Sequence, residues 1–186
     1  MTVGFAMCGS FCTFSQVFPV MEELSRSYSL TPIFSDAVMH TDSRFGTASQ
    51  HWQNALDICG KEPLHTVAQV EPIGPKKLLD ALVIAPCTGN TLAKLAHSIA
   101  DGPVTMAAKS HLRNGRPILI AVSTNDALAG AAEIIGKLLA RKHYYFVPFG
   151  QDDALKKPTS MVADFQKIPQ ALAQALEGRQ IQPILL

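Results

Sequence analysis

Four clusters of small polar residues carry the chemistry this sequence offers: Cys87-Thr88-Gly89-Asn90-Thr91, Gly9-Ser10, Ser35 and Ser123-Thr124-Asn125. Each follows a short apolar run. Hydroxyls, an amide and glycine N–H groups are neutral donors, and at the start of a helix they suit an anion such as a phosphate. None of the four holds a cluster of Lys or Arg, so a phosphate there is met by N–H and hydroxyl groups. The plainer account is a set of ordinary strand-to-helix connections in which Thr and Asn cap the helix. Gly4 and Gly9 do not fall on the GxGxxG spacing of a dinucleotide fingerprint. No Ser-His-Asp or Cys-His motif is visible, and the six histidines lack metal-ligand spacing. Cys8 and Cys12 form a CxxxC without a second pair, so no metal site is expected and the four cysteines read as free thiols.

The elements that position these clusters follow from hydrophobic patterning. Thr2–Met7 predicts a first strand, with a helix face at Val17, Val20, Met21 and Leu24. Leu30–Phe34 predicts a second strand, and Ala37–Gly46 a loop over the sheet. A helix around Thr47–Cys59 has Trp52, Leu56 and Cys59 as its apolar positions, and Leu64–Val70 reads as an edge strand plus connection. Ala81–Ala85 is a buried strand ended by Pro86, which has no N–H to give a ladder. Leu92, Leu95, Ala96 and Ile99 mark the next helix, and Pro103–Asn114 another. A strand at Pro117–Val122 precedes a helix at Ala127–Arg141. A last strand at Tyr144–Pro148, a polar loop at Phe149–Pro158 and a closing helix at Met161–Leu176 complete the chain. Strands alternating with helices predict an α/β fold, a parallel sheet of about six strands covered on both faces. In such a sheet the four polar clusters lie along one edge, where ligands of open α/β sheets bind.

The chain has 186 residues, 47% hydrophobic and 17% charged, which suits one domain over residues 1–186. A net charge of +1 gives no sign of a nucleic-acid binder. Thr2–Met21 carries no charge, but it lacks a basic start and is broken by Gly9, Ser10, Thr13, Ser15, Gln16 and Pro19. A buried strand with its helix explains it better than a signal peptide or membrane span, so a cytoplasmic protein is expected.

Pro86-Cys87-Thr88-Gly89-Asn90-Thr91, followed by Ala93-Lys94, Ala96 and Ala100-Asp101, resembles the PASANT–AK–A–AD stretch of the homo-oligomeric flavin-containing cysteine decarboxylases. That family includes phosphopantothenoylcysteine decarboxylase, the lantibiotic cysteine decarboxylases and the prenyl-transferring flavoproteins. The resemblance implies a three-layer Rossmann-like fold, FMN at the strand ends and a homo-oligomer, trimeric or dodecameric. It implies flavin contacts from Gly9, Ser10, Phe11, Ser35, Thr88, Gly89, Asn90, Thr91, Ser123 and Thr124. Gly9, Ser10, Ser35 and Thr91 would hold the phosphate and ribityl groups, and Thr88, Asn90, Ser123 and Thr124 would surround the isoalloxazine or its ribityl chain. Asn90 and Asn125 are the candidate catalytic residues.

Further segments narrow the resemblance to one member of the family from spore-forming bacteria. They are Thr41–Gly46, Glu71–Pro75, Ala85–Asn90, Ala107–Gly115, Ala121–Leu128, Tyr145–Asp152 and Lys157–Ala163. This implies an A subunit as partner, itself binding NAD(P), and a small dicarboxylate as substrate. The implied activity is oxidation of a dihydro- or hydroxytetrahydro-dipicolinate to dipicolinate through bound FMN, in the mother-cell cytoplasm during sporulation. Arg44 or Arg113 of a neighbouring copy is a candidate partner for a dicarboxylate, though a solvated helix end accounts more simply for Arg113. Two departures stand out. The decarboxylases carry a His-Ile pair where this chain has Val70-Glu71-Pro72-Ile73-Gly74, and their PAMN clamp is here Val122-Ser123-Thr124-Asn125. Both changes remove parts that decarboxylation needs. Two alternatives stay open: a non-catalytic flavin-binding or assembly subunit of the same complex, and a phosphopantothenoylcysteine-decarboxylase-like enzyme.

Overall fold

The computed structural model describes residues 1–186. Strand β1 (Thr2–Met7) is buried beyond its first residue. It pairs in parallel with β2 (Ser29–Phe34) on one side and β3 (Ala81–Cys87) on the other. Strands β4 (Ile118–Thr124) and β5 (Tyr144–Phe146) continue the parallel sheet, giving the order β2-β1-β3-β4-β5. All of β3, and β4 up to Thr124, are buried, as strands covered on both faces must be. The chain runs outward from β1 to β2 and then returns to β3, so the connections diverge between β1 and β3 and leave a crevice at that switch point.

Helices close both faces. Helix α1 (Phe14–Ser25) packs against α8 (Ile168–Leu176), and α3 (Ala48–Cys59) packs beside α1 and β2. On the other face α4 (Val67–Val70), α6 (Pro103–Leu112), α5 (Gly89–Ala96) and α7 (Ala132–Leu139) form a row of neighbours. The short α2 (Asp36–His40) follows β2. Forty-nine buried hydrophobic residues join in one core cluster.

Local chemistry fixes the helix boundaries. Thr47 and Thr66 form capping boxes with Gln50 and Gln69, Pro103 occupies the first turn of α6, and Gly60 closes α3 at φ 63°.

Several expectations need correction. Pro86 does not end β3: the strand runs to Cys87, and a register shift against β4 between Ile84 and Cys87 takes the missing N–H out of the ladder. The Pro86 carbonyl instead accepts from the Cys8 N–H at 3.2 Å. Ala37–Gly46 opens as helix α2, with Ser35 as its cap. The buried positions of α3 are His51 and Ala55, with Trp52, Leu56 and Cys59 half-buried beside them. Of Leu64–Val70 only Leu64 bridges a strand, and Val67–Val70 is helical. Ile99 lies past the end of α5 and is 47% exposed.

The C-terminal third differs most. Ser123 and Thr124 belong to β4, residues 125–131 form turns, and α7 begins only at Ala132. Strands β6 (Phe149–Gly150) and β7 (Met161–Ala163) form an antiparallel pair where a loop and a helix are expected. Strand β7 pairs with the end of β4, Ser123 opposite Val162 and Thr124 opposite Met161. The sheet therefore has seven strands and is mostly parallel.

Candidate functional site

Two cavities open where β1, β3 and β4 end, and Gly9 and Thr88 line both. The larger, about 440 Å³, is bounded by Ser35, Asn90, Thr91, Lys94 and the start of α6 at Gly102–Thr105. The smaller, about 250 Å³, is bounded by Ser10, Gly89, Ser123, Thr124 and Asn125. Cys12, and Asp152, Lys157 and Ser160 from the β6–β7 connection, also line it.

The lining hydroxyls are ordered by one another. Thr88 caps α5 by accepting from the Thr91 N–H at 3.3 Å, and the two threonine hydroxyls lie 3.1 Å apart. Thr91 also donates to the buried Cys8 Sγ at 3.3 Å. Across the smaller cavity the Ser10 and Ser123 hydroxyls hydrogen-bond at 2.7 Å. The N–H groups of Gly89 and Asn90, in the first turn of α5, have no intrahelical acceptor and carry the positive end of the helix dipole. Two glycines allow the close packing: a Cβ on Gly89 would lie 2.6 Å from Thr124 Oγ1, and one on Gly9 would lie 3.2 Å from Ala37 Cβ.

Charge at the site is paired within the chain. Lys94 Nζ sits 2.9 Å from both oxygens of Asp101, and that hydrogen bond holds the Asp101 carboxyl below its usual range. Lys157 binds Asp152 at 3.0 Å, and this partner raises the ammonium. Burial works to raise Asp152, but hydrogen bonds from Ser160 and Lys157 outweigh it and leave the carboxyl low. Burial pushes the Cys8 thiol up to about 11 and Cys87 well above its ordinary value. Neither is a thiolate near neutral pH, so neither is a ready nucleophile. No group of three His, Cys, Asp or Glu side chains is arranged to hold a metal.

The structure thus gathers nine of the ten expected flavin-contact residues on the two cavities and separates them by end. Ser35, Asn90 and Thr91 line the larger, Ser10, Gly89, Ser123 and Thr124 the smaller, and Gly9 and Thr88 both. Phe11 lines neither: its ring lies 5.3 Å from Phe14 and 6.1 Å from His51. The two candidate catalytic amides are not brought together, for Asn90 borders the larger cavity and Asn125 the smaller. Asn125 is held by Thr159, whose hydroxyl donates to its carbonyl at 2.6 Å. Arg44 stacks on Phe45 at 4.8 Å and lines neither cavity. Sequence reasoning missed the first turn of α6 and the Asp152–Lys157 pair. Pro103 at a helix start was a usable signal for the first; the second depends on a strand that reads as helix.

A parallel sheet in the order 2-1-3-4-5, with neutral donors and a helix N-terminus at its switch point, defines the class of α/β proteins that hold a nucleotide-like cofactor at their strand ends. The chain belongs to the Flavoprotein family, which matches residues 1–143. Within it the chain falls with the B subunits of dipicolinate synthase: it is 43% identical over 185 residues to the one from Bacillus subtilis (strain 168), covering 99% of this chain and 92% of the relative. The crystal structure of the dipicolinate synthase B subunit from Bacillus halodurans C superimposes with a TM-score of 0.91 at 42% identity, over 100% of this chain and 95% of that one. DmrB of Burkholderia xenovorans, solved in complex with FMN as a cubic protein cage for redox transfer, shares the fold at 17% identity, with a TM-score of 0.69 over 95% of both chains. No helix of the chain is long and apolar enough to cross a membrane.

Proposed function

We propose that this chain binds FMN across Gly9 and Thr88 and acts with a nicotinamide-binding A subunit to oxidise a dihydro- or hydroxytetrahydro-dipicolinate to dipicolinate. The observation that carries the reading is the meeting of the two polar cavities at the β1/β3 switch point, each lined by neutral donors and small residues. The residues present fit the cofactor. The Asn90 N–H at the start of α5 with the Ser35 hydroxyl suits a phosphate monoester, and the larger cavity, about 440 Å³, lies in the range of cofactor sites.

When bound, FMN supplies a hydride acceptor, which is the chemistry needed to aromatise a dihydropyridine-type ring. The chain's own residues bind and orient. Thr88 and Gly9 form the saddle between the two ends, and Thr91 is locked against Cys8 so that the α5 N-terminus keeps its aim. On the smaller side the Ser10–Ser123 pair and Asn125 offer hydrogen bonds to a ring substrate. Homo-oligomer assembly, as in the FMN-bound cage, would complete the outer wall of this side.

A second reading has its own support. Apart from Asp36, every charged side chain on the two cavities is in an internal ion pair, and the buried thiols are neutral. A chain that holds the flavin for its partner, and moves no proton itself, needs nothing more.

The test is the absorbance of the purified chain between roughly 350 and 500 nm, with FMN titrated in if the protein is colourless. Bound flavin that bleaches on adding substrate and the A subunit supports the proposal. Bound flavin that stays oxidised under those conditions favours the holding role, and a chain that takes up no FMN overturns both.

A further inference from the structure

A third cavity, of about 350 Å³, lies away from the strand-end site, between the end of α5, the outer side of α6 and the segment leading into β5. Thr105 alone lines both it and the larger strand-end cavity. Its apolar wall is Leu95, Ile99 and Leu112, and its charged groups are Lys109, Arg113 and Arg141. No carboxylate lines it, and the five ion pairs of the chain engage other residues. The contrast with the strand-end site is direct, for there each lysine is neutralised by an aspartate.

Lys109 and Arg113 are exposed on the rim, while two features fix the rest of the cavity wall. Arg141 donates to the carbonyls of Leu95 at 3.0 Å and Ala96 at 2.6 Å, which fixes its planar guanidinium at the C-terminal end of α5. Ser98, on the rim, has φ 59°, in the left-handed region that a residue with a Cβ rarely adopts, and this turn leaves Ile99 47% exposed beside the cations. A cationic rim over an apolar wall recognises an anion with an apolar body. A free phosphate or sulfate gains nothing from the leucine and isoleucine surface, whereas a carboxylate on a ring satisfies both parts.

We infer that this cavity is a second ligand site, selective for a small carboxylate with an apolar, ring-sized body. It would be occupied independently of the flavin.

The experiment titrates naphthalene-2-carboxylate, and its uncharged carboxamide, into the full chain saturated with FMN, followed by calorimetry. The expected result is saturable binding of the carboxylate, about tenfold or more tighter than the carboxamide, as loss of a charge-assisted hydrogen bond implies. Arg113→Glu should abolish that preference, and Arg179→Glu, a distant surface change, should retain it. Equal binding of both probes, or a preference that survives Arg113→Glu, overturns the inference. Native mass spectrometry reads the remaining outcome: if Arg113→Glu breaks an oligomer that the carboxylate leaves intact, the face is a contact between copies and the ligand site is wrong. The same titration without FMN separates this result from the flavin reading, because a chain that takes up no flavin should still bind the carboxylate.

Discussion

The two edges of the sheet are built from the same strands and are used in opposite ways. At the edge where strands begin, polar groups are consumed internally, the buried His111 Nδ1 excepted. The Thr2 N–H donates to Asp80 at 2.8 Å, the Asp80 N–H donates to the Thr2 carbonyl at 2.7 Å, and Arg116 bonds both Asp80 and the Leu79 carbonyl. His111, fully buried, bonds the Pro117 carbonyl at 3.1 Å, and Asn114 donates to the Gly74 carbonyl at 3.0 Å. At the edge where strands end, the Asn90 amide is exposed, and the Ser10–Ser123 and Thr88–Thr91 hydroxyl pairs border open cavities. One edge fastens the layers and the other keeps hydrogen-bonding capacity for a ligand. Changes at the first should therefore lower stability, and changes at the second should lower binding while leaving the fold intact.

The largest expected effect is at the fastening edge. A Cβ on Gly74 would lie 2.5 Å from the backbone oxygen of Ser110, which cannot swing aside as a side chain can. Gly74→Ala should force α6 away from its neighbour and cost about 3 kcal/mol, at the upper end for overpacking. Thermal unfolding should show this as a fall in Tm of about 6–12 °C. An unchanged Tm would break the comparison at its strongest point. His111 comes next. Burial lowers its pKa from 6.5 to about 4, opposed by the Pro117 carbonyl. Its folded pKa is below its unfolded one, so the unfolded chain binds the extra proton between those values. Stability is then full above pH 6.5 and is lost as pH falls toward 4, by an amount on the order of 3 kcal/mol. Denaturant unfolding across that range should show the slope in the wild type and a flatter line in His111→Gln. Parallel lines would mean that His111 is not the group responsible.

These two edges were not equally legible in the sequence. Strand β1 has its sequence-predicted bounds because a six-residue apolar run beside a Gly-Ser turn has few other uses. The polar turns were legible for the same reason: alternation of strand and helix places their residues on one edge whatever the exact boundaries. What failed was local pattern against long-range pairing. Met161–Ala163 precedes an apolar sequence of helical period, and only its pairing with Ser123 and Thr124, 37 or more residues away, makes it a strand. Pro86 failed the other way, since a rule about ladder donors says nothing of a register shift that removes the need for one. The separation of Asn90 from Asn125 into two cavities was beyond reach for a related reason. It depends on which sides of Thr88 the end of β4 and the start of α6 occupy, and no spacing in the chain encodes that.

At the ligand edge the expected effects are on affinity. Asn90 is exposed in the first turn of α5, and its amide has no partner within the chain. Asn90→Asp puts a negative charge where the helix end favours one, so stability should hold or rise by a few tenths of a kcal/mol. The same charge faces the position assigned to the flavin phosphate, and FMN affinity should fall by about tenfold or more through like-charge repulsion. A fluorescence titration of FMN against both proteins checks this. Equal affinities would place the phosphate elsewhere, and a variant that binds FMN and oxidises substrate normally would remove Asn90 from the flavin site.

The smallest effect is the most discriminating. Ser123→Ala removes the 2.7 Å hydrogen bond to Ser10 but leaves the β4 backbone paired with Val162. Ser123 is nearly buried, yet the hydroxyl left behind on Ser10 borders an open cavity where water replaces the lost partner. Stability should change by about 1 kcal/mol or less, the net value of a single neutral hydrogen bond. Substrate binding on the smaller side should weaken more than FMN binding does, because Ser123 borders only that cavity. Should Ser123→Ala instead unfold as readily as Gly74→Ala, the ligand edge would be a second fastening edge, and the hydroxyls along it would be structural.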